Sequence, residues 1–171
     1  MMAPQLQPPA LRPFLPVDTP VLAEIFQVSI EELTGEDYSE AQQAAWASLA
    51  DEVEAFGERL AGNLTLVATI GGSTVGFASL KGADHIDLLY VHPAAIGQGV
   101  ATLLYDALEK LSAARGAGRL TADVSDTALG FFEKRGFEAQ SRNTVSVRDQ
   151  WLGNTSMEKR FAPAEARGLS S

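Results

Sequence analysis

One stretch of the sequence, residues 85–114, combines the signals of a buried strand, a glycine-rich turn and an amphipathic helix. The apolar run at 86–91 is rich in β-forming residues and long enough for a buried strand. The dipeptide His-Pro at 92–93 ends that strand, because proline has no N–H to donate within a sheet. The turn Gly-Gln-Gly at 97–99 follows, and apolar residues then recur at helical spacing on one face. Glycines next to a helix N-terminus favour a main-chain cradle for an anion such as a phosphate group.

Two common nucleotide-binding motifs do not fit this glycine turn. The dinucleotide-binding fingerprint requires a third small residue, where this sequence has Thr102, and a βαβ unit, where it has a preceding hairpin. The Walker motif requires a lysine directly after the glycines, and the sequence has none there. The remaining interpretations are an anion cradle and a tight turn that only joins strand to helix. This stretch alone leaves both open.

The stretch resembles the acyl-CoA-binding motif of the GNAT N-acetyltransferase superfamily, which runs Val-x-Pro and then Arg or Gln-x-x-Gly-x-Gly or Ala. The segments 91–93 and 99–101 match this pattern, whereas Ile96 replaces the usual Arg or Gln. The resemblance implies that backbone groups around Leu89 and Val91 pair with pantetheine, that an N–H there polarises the thioester carbonyl, and that residues 96–102 hold the pyrophosphate. The residues implied by this motif to bind acetyl-CoA are Leu89, Tyr90, Val91, Ile96, Gly97, Gln98, Gly99, Val100, Ala101 and Thr102.

A second GNAT motif, Asn-x-x-Ala-x-x-x-Tyr-x-Lys-x-Gly-Phe, is similar to residues 125–137. Ala, Lys and Gly-Phe match at 128, 134 and 136–137, while Ser125 replaces Asn and Phe132 replaces Tyr. The resemblance implies that Ser125 takes over the cofactor contact of the usual amide. It also implies that Phe132 lies against the cofactor and that Lys134 lies near a phosphate.

Strand and helix signals elsewhere extend the resemblance over residues 10–161. They predict a first strand at 11–14 and three helices, with a capping box at 39–42 and Asp51 as the cap of the third helix. Two strands then flank Gly-Gly at 71–72, which is a strong hairpin signal.

The C-terminal half completes the predicted fold. It predicts a strand at 119–124, a helix capped by Asp126, and two strands at 139–147 and 152–160. The order β-α-α-α-β-β-β-α-β-α-β-β indicates an α/β protein of the GNAT fold. We expect a mixed, mostly antiparallel sheet of about seven strands with helices on both faces.

Composition bounds the domain organisation and the partners. The 171 residues, 46% of them hydrophobic, suit one domain at 11–161, flanked by flexible tails at 1–10 and 162–171. Cysteine is absent, so thiolate metal sites and a cysteine nucleophile are excluded, and we expect no metal. No apolar run approaches a membrane span and no signal peptide is visible, so we expect a cytoplasmic protein. The net charge of −9 argues against nucleic acid and membrane surfaces as partners.

The resemblance implies an enzyme that moves an acetyl group from acetyl-CoA by direct attack to a primary amine. The acceptor is then a small-molecule or peptide amine, and a homodimer stays open. Eleven acidic residues and no Lys, Arg or His lie between Pro13 and Glu58, which favours a small cationic acceptor. The competing interpretation is a non-catalytic acyl-CoA-binding sensor, because the usual arginine and tyrosine are missing.

The candidate catalytic residues are His85, Asp87 and Tyr38. His85 lies where many family members carry a glutamate base, and histidine titrates near neutrality; the alternative is a hydrogen bond to a loop. Asp87, on the same strand face, is a second candidate base, an orienting group for His85, or a binder of a cationic acceptor. Because Phe132 cannot donate a proton to the departing thiolate, Tyr38 is the candidate acid, the alternatives being that Tyr38 only packs or that water donates.

Overall fold

The computed structural model of the chain describes residues 7–162, which fold into one seven-stranded sheet with five helices in that part of the chain. The strand order is β1-β2-β3-β4-β5-β7-β6. The strands are β1 Ala10–Pro13, β2 Leu64–Ile70, β3 Ser73–Lys81, β4 His85–Val91, β5 Arg119–Ser125, β6 Glu138–Val147 and β7 Gln150–Arg160. The helices are α1 Thr19–Leu33, α2 Glu40–Ala47, α3 Val53–Gly62, α4 Val100–Ala114 and α5 Leu129–Glu133.

The predicted fold class and the predicted order of elements are confirmed. The sheet is mixed and mostly antiparallel, because β4 and β5 are its one parallel pair among the described strands. The predicted tails fall largely on residues 1–6 and 163–171, which lie outside the described residues, so the domain boundaries stay a prediction. No helix within residues 7–162 is long and apolar enough to span a membrane.

Among the described strands, the parallel pair β4–β5 forms the shortest ladder of the sheet. Only His85 with Thr121 and Ile86 with Ala122 are in register, and the ladder then stops although both strands continue. On the other side of β4 the register with β3 shifts between Ser79 and Leu80, so Asp87 has no partner there. Such a β-bulge bends its strand and turns a side chain toward a chosen face. The sheet therefore opens between β4 and β5 from residue 87 onward.

Two hydrophobic cores cover the two faces of the sheet and hold this opening in shape. Helices α1, α2 and α3 pack on one face through fully buried residues such as Leu22, Phe26 and Leu60. Helix α4, with α5, packs on the other face through residues such as Leu104 and Leu108. Burial of each such side chain stabilises the fold by about 1.5–3 kcal/mol. We call these the α1–α3 face and the α4 face.

The local helix and turn signals gave one correct cap and two wrong ones. The capping box is confirmed, since Ser39 Oγ accepts from the Gln42 N–H at 3.1 Å and Gln42 Oε1 accepts from the Ser39 N–H at 2.8 Å. Asp51 instead accepts a hydrogen bond from Gln27, and α3 begins two residues later without a side-chain cap. The side chain of Asp51 therefore bonds to a residue distant in sequence, Gln27, instead of capping α3.

The predicted cap of α5 was wrong for the same reason. The carboxylate of Asp126 pairs with Arg142 of β6 rather than with the start of α5. Ser125 Oγ instead accepts the Ala128 N–H at 3.2 Å, one turn earlier. Helix α5 is short and runs only from Leu129 to Glu133.

Candidate active site

A cleft of about 280 Å³ runs through the opening between β4 and β5. Its walls come from both faces of the sheet: α1 and α2 on one side, α5 and the start of α4 on the other. The two strands contribute consecutive residues to it, 86–91 from β4 and 122–125 from β5. A molecule in this cleft can therefore reach from one face of the sheet to the other.

The glycine turn at the α4 end of the cleft is an open main-chain cradle. Gly97 and Gly99 have φ of 83° and 81°, and Gly99 is the residue before the first turn of α4. Within residues 7–162, no hydrogen-bond acceptor pairs with the N–H groups of Gly97, Gly99, Val100, Ala101 and Thr102. A Cβ built on either glycine meets no atom within 4 Å, so the space beside both glycines is open. This arrangement fits the diphosphate of a CoA molecule.

Most of the residues predicted to bind acetyl-CoA lie at this cleft or at the cradle. Ser125 and Phe132 line the cleft, and Phe132 is buried there without a polar group. Ile96 also lines it, with an exposed fraction of 54%. The cradle and cleft residues from the prediction are Leu89, Tyr90, Val91, Ile96, Gly97, Gln98, Gly99, Val100, Ala101, Thr102, Ser125 and Phe132.

Lys134 lies apart from the cleft lining, on the exposed end of α5. Its neighbour Arg135 is half-buried and reaches α4 instead. Arg135 Nη2 donates to Thr102 Oγ1 at 2.7 Å, and the guanidinium carbon lies 3.4 Å from the centre of the Phe131 ring. Sequence reasoning missed Arg135 because the contact depends on how the short α5 docks against α4.

Asp87 lines the cleft on the α1–α3 face, and both of its carboxylate oxygens are occupied. Arg59 donates to them at 2.8 and 3.0 Å, and Asn63 donates at 2.9 Å. Burial acts to raise the pKa of Asp87, but the Arg59 hydrogen bonds and charge, the Asn63 hydrogen bond and the charge of His85 outweigh it and lower the pKa. An ionised, fully engaged carboxylate is a poor proton acceptor but a good electrostatic partner for a nearby cation.

His85 does not line the cleft. It lies at the start of β4, where β4 is still paired with β5. His85 Nδ1 is 2.8 Å from Thr121 Oγ1 on β5, and the Thr121 hydroxyl is 3.2 Å from the Asp84 carbonyl. When the Thr121 hydroxyl donates to that carbonyl, it accepts from Nδ1–H, and Nε2 keeps the lone pair. The geometry thus suits an imidazole that accepts a proton at Nε2.

Tyr38 is buried, and its hydroxyl joins two segments that border the cleft. It donates to the Gly153 carbonyl of β7 at 2.7 Å and accepts the Asp126 N–H at 2.9 Å. Burial raises the pKa of Tyr38 above that of a free tyrosine. Tyr38 is absent from the cleft lining, so its role as acid stays a prediction that these bonds do not favour.

Of the three tyrosines in the chain, only Tyr90 lines the cleft. Its ring packs against Phe26, Phe77 and Trp46 on the α1–α3 face. Burial raises the pKa of Tyr90 to about 12. The hydroxyl therefore stays protonated at neutral pH.

Asp123 of β5 is a second carboxylate in the cleft lining, and sequence reasoning did not identify it. It accepts one hydrogen bond, from Ser156 Oγ at 2.8 Å, and within residues 7–162 it has no ion-pair partner. Leu120, Ala122 and Val124 of β5 belong to the core on the α4 face, so Asp123, which alternates with them, faces the α1–α3 side. Among residues 7–162, no Lys, Arg or His lines the cleft. Because Asp87 is neutralised by Arg59, the uncompensated charge of the cleft is that of Asp123.

None of the acidic residues in the segment at 13–58 lines the cleft. Ten of its eleven acids are exposed, and the eleventh, Asp18, is buried and pairs with Arg12 at 2.8 Å. A second cavity, of about 410 Å³, lies between α4 and β7 and is bordered by the Glu109–Lys159 ion pair. No glycine is among the described residues that line this second cavity.

Comparison with known proteins agrees with this geometry. A family model described as an acetyltransferase (GNAT) domain matches residues 34–161. The uncharacterized N-acetyltransferase YafP of Escherichia coli is 35% identical over 153 residues, which cover 90% of this chain and 95% of YafP. The peptidyl-lysine N-acetyltransferase YjaB of Salmonella typhimurium is 27% identical over 124 residues, 72% of this chain and 69% of YjaB.

A solved structure is also similar over nearly the whole chain. The protein from Rhodopseudomonas palustris described as "GCN5-Related N-acetyltransferase: Aminotransferase, Class-II" is 58% identical, with a TM-score of 0.89. The match covers 94% of this chain and 100% of that one. With the family model, these relatives establish the family: the chain is an N-acetyltransferase of the GNAT family, whose acetyl donor is acetyl-CoA.

Proposed function

We propose that this enzyme transfers the acetyl group of acetyl-CoA directly to a primary amine that is a cation at neutral pH. The observation that carries the proposal is the cleft through the sheet, with free backbone N–H groups at its α4 end and carboxylates on its α1–α3 face. Acetyl-CoA supplies the acetyl group as a thioester. The transfer forms a bond between nitrogen and the acetyl carbon and breaks the carbon–sulfur bond. The ammonium group loses two protons: one to a base before attack, and one as the amide forms, while the departing thiolate takes up one proton.

On the α4 side, the chain offers groups suited to an anionic, extended ligand. The free N–H groups of Gly97 and of residues 99–102 suit the pyrophosphate, helped by the positive end of the α4 dipole. The edge of β4 that faces the opening has no strand paired to it beyond Ile86, so its N–H and C=O groups at 89–91 are available to pantetheine. An N–H among them suits the thioester oxygen.

On the α1–α3 side, the cleft suits an ammonium group carried by an apolar chain. Ile30, Leu33 and Trp46 form the apolar wall, and the uncompensated carboxylate of Asp123 attracts a cation. A lysine side chain or a small alkyl amine has this chemistry, and the name of the relative YjaB, a peptidyl-lysine N-acetyltransferase, supports the former. The support for a cationic acceptor thus comes from Asp123 rather than from the acidic segment at 13–58.

The attacking amine must lose a proton, and we propose His85 as the base, acting through a water molecule. The Thr121 hydroxyl fixes the ring so that Nε2 can accept the proton. For the departing thiolate we propose Tyr90 or water as the proton donor. Tyr90 lines the cleft and stays protonated, whereas the Tyr38 hydroxyl is held by two backbone groups.

The first prediction tests the cradle. Gly99→Glu should abolish CoA binding measured by calorimetry, because a side chain and a negative charge would fill the space before the free N–H groups. The left-handed backbone also strains any other residue there by about 1–2 kcal/mol. Gly116→Glu is the matched control, since Gly116 has a similar φ of 85° at the opposite end of α4. Equal CoA affinity in the two variants would refute the assignment.

The second prediction tests the base. His85→Gln should lower kcat by about a hundredfold at neutral pH, because no positioned group would then accept the amine proton. The pH–rate profile should move to alkaline values, where the free amine exists without help. Thr121→Val should lower kcat less, since the imidazole remains. A profile for His85→Gln that matches the wild type would exclude His85 as the base.

The third prediction separates the two tyrosines. Tyr38→Phe leaves the Gly153 carbonyl and the Asp126 N–H unpaired, so it should lower the free energy of unfolding by about 1–3 kcal/mol with little change in kcat. Tyr90→Phe should lower kcat with a smaller effect on stability. Denaturation and steady-state kinetics of both variants measure this. If Tyr38→Phe loses kcat while its stability holds, Tyr38 is the acid after all.

The fourth prediction concerns the acceptor and tests the function directly. A screen of amines with acetyl-CoA, read by thiol release, should find cationic primary amines as the preferred acceptors. Asp123→Asn should then raise KM for the best acceptor about fivefold with kcat retained, and should reduce its salt dependence. Asp106→Asn, an exposed acid outside this cleft, is the control. Preference for an anionic acceptor would overturn the cation proposal, and CoA binding without thiol release to any amine would favour the sensor interpretation.

A further inference from the structure

The guanidinium of Arg135 lies in an electrostatically unfavourable position. Its Nη2 donates to the side chain of Thr102, the third residue of α4, so the guanidinium lies at the positive end of that helix dipole. A cation beside a helix N-terminus is destabilising, because the helix dipole has its positive end there. The first turn of α4 contains no acidic residue to offset this cost. Within residues 7–162 no carboxylate forms an ion pair with Arg135.

The contacts of Arg135 nevertheless fix its orientation. Its guanidinium stacks on Phe131, with the central carbon 3.4 Å from the ring centre. Nη1 donates to the Phe131 carbonyl at 2.8 Å, and Nη2 donates to Thr102 Oγ1 at 2.7 Å. A guanidinium has five N–H donors, so these two bonds leave three unused. The fold therefore holds an uncompensated, partly unsatisfied cation next to the free N–H groups of the cradle.

We propose that Arg135 binds the pyrophosphate of CoA and takes over the role of the charged or polar side chain that the GNAT motif has at position 96. Ile96 stands there in this chain, exposed and without a polar group. A planar guanidinium with free donors matches phosphate oxygens better than a lysine would. The anion would remove the electrostatic cost at the α4 N-terminus. Thr102 and Phe131 act as positioning residues for the guanidinium. This inference rests on the acetyl-CoA site of the proposed function.

The test compares three ligands by calorimetry. Arg135→Gln should weaken CoA binding about tenfold, the value expected for one charge-assisted hydrogen-bonded contact. The loss should be equal for dephospho-CoA, which keeps the pyrophosphate, and absent for pantetheine, which has none. Lys110→Gln is the matched control, since it removes an exposed cation from α4, far from the glycine turn; it should change affinity less than about twofold.

Two further variants keep the test decisive. Arg135→Lys should recover only part of the affinity, because an ammonium cannot form the planar contacts with Thr102 and the phosphate together. Thr102→Val should weaken CoA binding by a few-fold while the thermal unfolding temperature stays near the wild type. Equal CoA affinity of Arg135→Gln and wild type would overturn the proposal, and so would a loss confined to CoA and absent for dephospho-CoA. Failure of the wild-type protein to bind CoA would instead refute the proposed function.

Discussion

The parallel pairing of β4 with β5 is the constraint on which the rest of the site depends. Two ladder positions join the strands at residues 85–86, and from the bulged Asp87 onward the strands run without a shared ladder. An open edge inside a sheet leaves backbone N–H and C=O groups unpaired, which destabilises the fold. A ligand that forms hydrogen bonds with these groups removes this destabilisation. Helices on both faces, each packed by its own core, keep the gap from closing or widening.

The two ends of this gap differ in charge in a way that matches a reaction between an anion and a cation. At the α4 end the cradle offers N–H groups and a guanidinium, with no acid in the first turn of the helix. At the other end Asp87 is neutralised by Arg59, and Asp123 keeps its charge. A CoA molecule and a protonated amine would therefore be drawn to opposite sides of one opening, and their reactive groups would meet within the sheet.

Features that depend on short-range patterns could be predicted from the sequence, and those that depend on tertiary contacts could not. The strand, glycine turn and helix of residues 85–114 were predicted correctly because periodicity and glycine geometry are local properties. The caps at Asp51 and Asp126 were predicted wrongly, because Gln27 and Arg142 reach those carboxylates from distant parts of the chain. A residue with a local capping pattern does not cap its helix where a tertiary partner binds its side chain instead.

The same distinction applies to the site residues. In the sequence, Asp123 is one of the polar residues that alternate with apolar ones along a predicted strand. Nothing in the sequence indicates that β5 borders the cleft at that point. Arg135 contacts Thr102 only because α5 is short and docks on α4. Conversely, the acidic run at 13–58 was conspicuous in the sequence, yet it lies on the outer surfaces of the helices and around Arg12. Its charge is a property of the surface rather than of the cleft.

The central claim, that one opening between β4 and β5 receives CoA from the α4 side, is tested most directly by backbone amide chemical shifts. CoA titrated into ¹⁵N-labelled protein should shift the amides of residues 97–102 and 89–91 most, because these N–H groups gain acceptors. The amides at 29–34 should move only when an amine acceptor is added. Largest shifts around Glu109 and Lys159, at the second cavity, or no shift at 97–102 in the presence of saturating CoA, would contradict the account.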